Sequence, residues 1–152
     1  MTDFKNFRCS AERTVPFDYP VELVWHVLAG SGKENAVQPM DVEEWENTTP
    51  GKGEIYTRHI ESKVNKLLSF KMKTPFCETV WRIEFDKVGP SATNVTFYVE
   101  TQYTGDKRMV KMIFGHPPAA EIKGLVSNMK YKLKMDDIER ARRLDEFNIK
   151  RR

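Results

Sequence analysis

The side chains best suited to acid–base chemistry in this chain fall in one short stretch, Glu54 to Ser62, which reads EIYTRHIES. His59 could shuttle a proton near neutral pH, Arg58 could hold a carboxylate or an enolate, and Tyr56 could donate a hydrogen bond to a carbonyl. Their spacing limits what they can do together. In a strand, successive side chains go to opposite faces, so His59 shares a side with Ile55 and Thr57, while Tyr56 and Arg58 share the other with Ile60. His59 and Arg58 therefore cannot act jointly from a regular strand. Neither parity is cleanly apolar, so a polar side chain points inward whichever face is the inner one. A dry core penalises such a group unless it is paired, whereas the wall of a wet or ligand-filled cavity accommodates it. No second carboxylate–histidine pair supports catalysis. The other candidates are Cys9, Cys77, His26 and His116, and they show no CxxC, HxH or HExxH spacing, so neither a metal site nor a cofactor is expected. His26 falls on the outer side of a short helix and takes no role.

The element that must position this stretch is a long C-terminal helix. From Pro117 to about Arg143, Ile122, Leu125, Val126, Met129 and Leu133 recur at helical spacing, with Lys123, Lys130 and Lys134 on another side. Pro117 and Pro118 suit a first turn that needs no intrahelical donor. Glu121 complements the positive N-terminal end, and Arg140, Arg142 and Arg143 the negative C-terminal end. Such a helix is too long for a single helical neighbour to cover and needs a broad partner. The preceding chain supplies strands. Phe7 to Phe17 alternates, with Arg13 breaking the apolar row. A short helix follows, Pro20 in its first turn and Val21, Val24, Trp25 and Leu28 as its stripe, stopped by Gly30 and Gly32. Asp41 to Asn47 reads as a strand with an acidic side, and the PGKG turn at residues 50–53 leads into Glu54–Ser62. Leu68, Phe70 and Met72, then Trp81, Ile83 and Phe85, then Val95, Phe97 and Val99 alternate with polar residues, which predicts half-buried antiparallel strands. Short turns between them favour a meander. The expectation is an α+β domain in which a long helix lies across five or six antiparallel strands.

At 152 residues with no low-complexity linker, the chain is long enough for one domain, read as 1–147 with a basic tail at 148–152. A net charge of +3 neither demands nor excludes nucleic acid. The aromatics Trp81 and Phe97 take the inward parity, where bases cannot stack on them, so nucleic acid is not expected. No apolar run is long enough to span a bilayer, and the lysine face of the long helix is the only basis for a peripheral membrane contact. Two isolated cysteines in apolar strands and no apolar leader predict a reduced, cytoplasmic protein.

The strand ending VPFDYPVELVWHVLAG, the meander carrying GKGEIYTRH and WRIEF…ATNVTFYVE, and the terminal amphipathic helix together resemble the START-like superfamily, with its polyketide cyclase/dehydratase and lipid-transfer members. The resemblance covers nearly the whole chain, and the Trp25 and Leu28 positions match the family's apolar pair in the first helix. It implies a helix-grip fold, in which a curved sheet wraps the C-terminal helix around a hydrophobic ligand cavity. On that reading Tyr56, His59, Phe70, Met72, Trp81, Ile83, Phe85, Phe97 and Val99 of the sheet would face Val126, Met129 and Leu133 of the helix. The cavity would hold a small hydrophobic or amphipathic ligand, lipid-like or polycyclic, for a carrier or sensor. The alternative is a cyclase- or dehydratase-like enzyme using the same cavity.

Overall fold

The alternation of Val95, Phe97 and Val99 with Thr96, Tyr98 and Glu100 produces the strand at the centre of the core, and those three apolar residues are wholly buried. The structure, a computed structural model, describes residues 8–29, 41–75, 77–103 and 118–151, with side chains of the last helix up to Glu146. In chain order the elements are β1 (Arg8–Phe17), α1 (Val21–Ala29), α2 (Val42–Asn47), β2 (Tyr56–Lys63), β3 (Leu67–Lys73), β4 (Cys77–Gly89), β5 (Ala92–Tyr103) and α3 (Pro118–Arg151). Phe7, Gly30, Gly32, His116 and Pro117 lie outside the described residues. The strands form one antiparallel sheet in the order β1-β5-β4-β3-β2, a meander from β2 to β5 with β1 returning beside β5.

Both outer helices cover the same side of the sheet. The carbonyl of Pro20 accepts the amides of Leu23 and Val24 and so opens α1. Val21 and Val24 are buried, and Trp25 meets Phe85 edge-on at 5.1 Å. α3 packs on β1, β5 and α1, while α1 packs on β4 and β5. The periodicity of α3 holds as expected: Ile122, Val126, Met129 and Leu133 are buried, Leu125 is half-buried, and Lys123, Lys130 and Lys134 are exposed.

Two expectations are corrected. Asp41 to Asn47 is not a strand: Val42–Asn47 is the helix α2, with Asp41 as its N-cap accepting from the Glu43 amide at 3.2 Å. Glu43 and Glu44 then sit in a first turn that favours negative charge. The stretch carries one buried apolar residue, Trp45, which fits a single helical turn against the body as well as it fits alternation. The second correction is length. α3 does not stop near Arg143 but runs to Arg151, 34 residues or ~51 Å. Nothing from Leu144 to Lys150 breaks a helix, and Glu139–Arg143 at 2.8 Å and Arg142–Glu146 at 3.7 Å are helical i,i+4 pairs that support the extension.

Gly124 is an exposed position inside α3, and a Cβ placed there meets nothing within 4 Å. It is therefore no close-packing point, and Gly124→Ala should raise stability by ~1 kcal/mol, read as a higher melting temperature. Cys9 and Cys77 are both free and half-buried. Thiol titration of the denatured, unreduced protein should return two thiols per chain; fewer would contradict this.

Candidate functional site

Strand register settles which way the Glu54–Ser62 stretch faces. His59 stands opposite Phe70, Phe70 opposite Trp81, Trp81 opposite Val99 and Val99 opposite Ala11, so one row crosses the whole sheet. Val99 lies in the core beneath α3, which puts His59 on the helix-facing side. The neighbouring row runs Thr57, Met72, Thr79, Thr101 and Cys9. Tyr56 and Arg58 pair with Lys73 and Lys71 and take the outer parity. His59 and Arg58 do stand on opposite sides.

The two halves of the helix-facing side differ. Over β1, β5 and the adjoining part of β4, the side chains of Phe97, Val99, Ile83, Met129 and Leu133 are 0–2% exposed, leaving no room for water beside them. Phe85 and Val126 belong to the same core. Trp81, only 6% exposed, belongs to it too, so eight residues expected to line a cavity are gathered in one packed cluster. Met129→Trp should therefore overpack that cluster and lower stability by ~1–3 kcal/mol, measurable by denaturant unfolding. Over β2 and β3, neither α1 nor α3 packs more than marginally. There Leu68, Phe70 and Met72 are half-buried and His59 is exposed. Phe70 lies nearly parallel to Trp81, with ring centroids 6.2 Å apart and planes 13° apart. The less covered strip of the sheet, or trough, has Phe70 and the buried Trp81 as its floor and His59 and Thr57 on its edge strand.

At the far end of the rows the helix-facing side becomes polar. The Thr79 and Thr101 hydroxyls are 3.2 Å apart and buried. Tyr103 is almost fully buried, and its hydroxyl is pushed well above the ordinary phenol range, first by burial and then by Cys9, with which it hydrogen-bonds, and by Cys77 and Glu121. A raised folded-state value means the neutral phenol is favoured by folding. The sign follows: that stability is complete below the unfolded value near 10 and falls as pH rises past it. The melting temperature should drop as pH rises from ~10 to ~11, and drop less in Tyr103→Phe.

Sequence periodicity missed Lys73. Alternation with Met72 assigns it to solvent, yet it is buried, its Nζ donating to the Trp45 carbonyl at 2.6 Å and lying 3.6 Å from Glu78. α2 covers it, so the error follows from reading α2 as a strand. The signal that was available is the N-cap Asp41 followed by two acidic residues and a lone Trp45. A depression of about 880 Å³ also lies among Glu22, Lys63, Lys66, Arg82, Glu84, Asp86 and Lys87. Its charges of both signs suit water rather than an apolar ligand.

No family model and no curated protein matches the chain. Solved structures do. A protein of unknown function from Staphylococcus aureus, SA2116, superposes with a TM-score of 0.56 at 14% identity, covering 89% of this chain and 99% of that one. Norcoclaurine synthase from Thalictrum flavum, in complex with dopamine and hydroxybenzaldehyde, gives 0.56 at 10% identity, covering 87% and 89%. A START superfamily protein from Mycobacterium smegmatis gives 0.54 at 11% identity, covering 83% and 97%. The chain has the helix-grip α+β fold of START-like proteins, and at these identities the likeness is one of fold. No described helix is long and apolar enough to cross a membrane.

Proposed function

We propose that this protein binds a small hydrophobic or amphipathic molecule on the helix-facing side of β2, β3 and β4, as a carrier or sensor. The observation that carries the reading is the unevenness of the sheet's cover. Half of the apolar face is sealed by α3 and α1, and the other half presents Leu68, Phe70 and Met72 only partly buried, beside an exposed histidine. A half-buried apolar surface with a few convergent polar groups is what ligand pockets are made of. In this proposal Phe70, Met72 and Trp81 contact the ligand and His59 offers it a hydrogen bond. Ile83, Phe85, Phe97, Val99, Val126, Met129 and Leu133 form the rigid backing behind them. The norcoclaurine synthase structure, in complex with dopamine and hydroxybenzaldehyde, supports the reading by analogy of fold. The cyclase-like alternative would rest on His59, since Tyr56 and Arg58 take the other parity. A reducing, cytoplasmic setting accords with the two free thiols.

The neutral, environment-sensitive dye Nile red provides the test. Wild type should bind it with a blue-shifted, enhanced fluorescence, and Phe70→Lys should abolish binding while leaving the thermal transition cooperative. Binding unaffected by Phe70→Lys, or no binding to wild type, would contradict the proposal. His59→Ala should alter affinity by no more than ~1–2 kcal/mol, the scale of one polar contact.

A further inference from the structure

The edge strand β2 carries one irregularity, and it decides the chemistry of the trough's rim. Up to His59 the pairing with β3 is regular, Thr57 opposite Met72 and His59 opposite Phe70; the register then slips, so that Glu61 stands opposite Ser69, Ser62 opposite Leu68 and Lys63 opposite Leu67. Ile60 is the extra residue of a β-bulge. Without the bulge, strict alternation from His59 would bring Glu61 and Lys63 onto the helix-facing side, beside Leu68. With it, Ser62 takes that side, while Glu61 and Lys63 go to the outer parity, where they form an ion pair of 3.6 Å. The helix-facing rim therefore reads Thr57, His59 and Ser62, three hydrogen-bonding side chains with no carboxylate, lysine or arginine among them. From Thr57 to Ser62 the rim extends ~16 Å.

Resting on the ligand-binding reading above, we infer that the trough selects an uncharged, elongated amphipathic molecule, with an apolar body on Phe70 and Trp81 and hydroxyl or carbonyl groups along the edge that meets β2. Among the described residues, a carboxylate or phosphate headgroup finds no lysine or arginine on this rim. Arg58 and Lys71 take the outer parity, and the helix-facing Arg13 stands opposite Phe97 on β1, at the other edge of the sheet. Hydroxyl and imidazole groups can donate to and accept from a neutral alcohol or ketone, whereas an anion would lose hydration without gaining the permanent charge of a lysine or arginine.

Two fluorescent probes with one apolar body separate these chemistries: 1-pyrenebutanol and 1-pyrenebutyrate, with unsubstituted pyrene as the apolar reference. Wild type should bind the alcohol at least about tenfold more tightly than the carboxylate. The triple variant Thr57→Val, His59→Leu, Ser62→Ala should lose most of the alcohol's advantage over pyrene while binding pyrene itself as well as before. These three positions are half-buried or exposed on an edge strand, and retained pyrene binding shows that the variant is folded. Equal or tighter binding of the carboxylate, or an alcohol advantage that survives the triple variant, would overturn the inference and leave the ligand-binding reading standing. If wild type binds none of the three and not Nile red, the ligand-binding reading itself falls, and this inference with it.

Discussion

Ending the chain before Pro118 should leave a protein with no cooperative thermal transition, whereas ending it after Arg140 should leave the transition nearly unchanged. The missing helix buries Ile122, Val126, Met129 and Leu133 to within 1–5% of full burial. Each such side chain contributes ~1.5–3 kcal/mol, so the four together are comparable with the ~5–15 kcal/mol that holds a typical domain folded. Deletion also uncovers the β1 and β5 side of the core, including Val15, Val95 and Val99, which are 0–2% exposed. By contrast, residues 141–146 of α3 are exposed throughout, and their ion pairs join side chains of the same helix. Exposed i,i+4 pairs contribute only a few tenths of a kcal/mol each. Circular dichroism melts of the two truncations make the comparison.

The second large effect separates the two halves of the sheet. Phe97→Ala should cost ~3–5 kcal/mol, because Phe97 is fully buried between the sheet and the packed helices and the space it leaves cannot fill with water. Phe70→Ala, on the same face of the sheet, should cost less, because Phe70 is only partly buried. For Nile red the order reverses. Phe70→Ala should weaken binding strongly, and Phe97→Ala should leave it within a few-fold wherever the protein remains folded. If both substitutions cost stability equally, the trough is as tightly packed as the core and the division fails.

Much of this arrangement could be read from residue order alone. Period-two alternation in Leu68–Met72, Trp81–Phe85 and Val95–Val99 identified three strands and their inner faces, and the helical spacing from Ile122 to Leu133 identified the buried stripe of α3. These patterns were legible because each has one solvated and one buried side. Three features were not. Val42–Asn47 has a single buried side chain, too few to distinguish period two from period 3.6. The parity of Tyr56–Lys63 depends on a partner strand, since an edge strand with polar residues on both sides has no pattern of its own. The division of the helix-facing side into a sealed and an open half depends on where α3 crosses the sheet, and no periodicity records that. Hence the expected cavity wall included side chains of α3 that are buried in the core cluster with β1 and β5.

The most direct test uses the three tryptophans as reporters. Trp25 packs on Phe85 beneath α1, Trp45 is buried on α2, and Trp81 stacks on Phe70 at the border of the trough. Protein labelled with 5-fluorotryptophan, its resonances assigned by single Trp→Phe substitutions, would be titrated with stoichiometric Nile red and followed by fluorine NMR. The Trp81 resonance should shift and saturate with one equivalent of dye, while the Trp25 resonance stays in place. A shift confined to Trp25, or no shift of Trp81 at saturation, would contradict this.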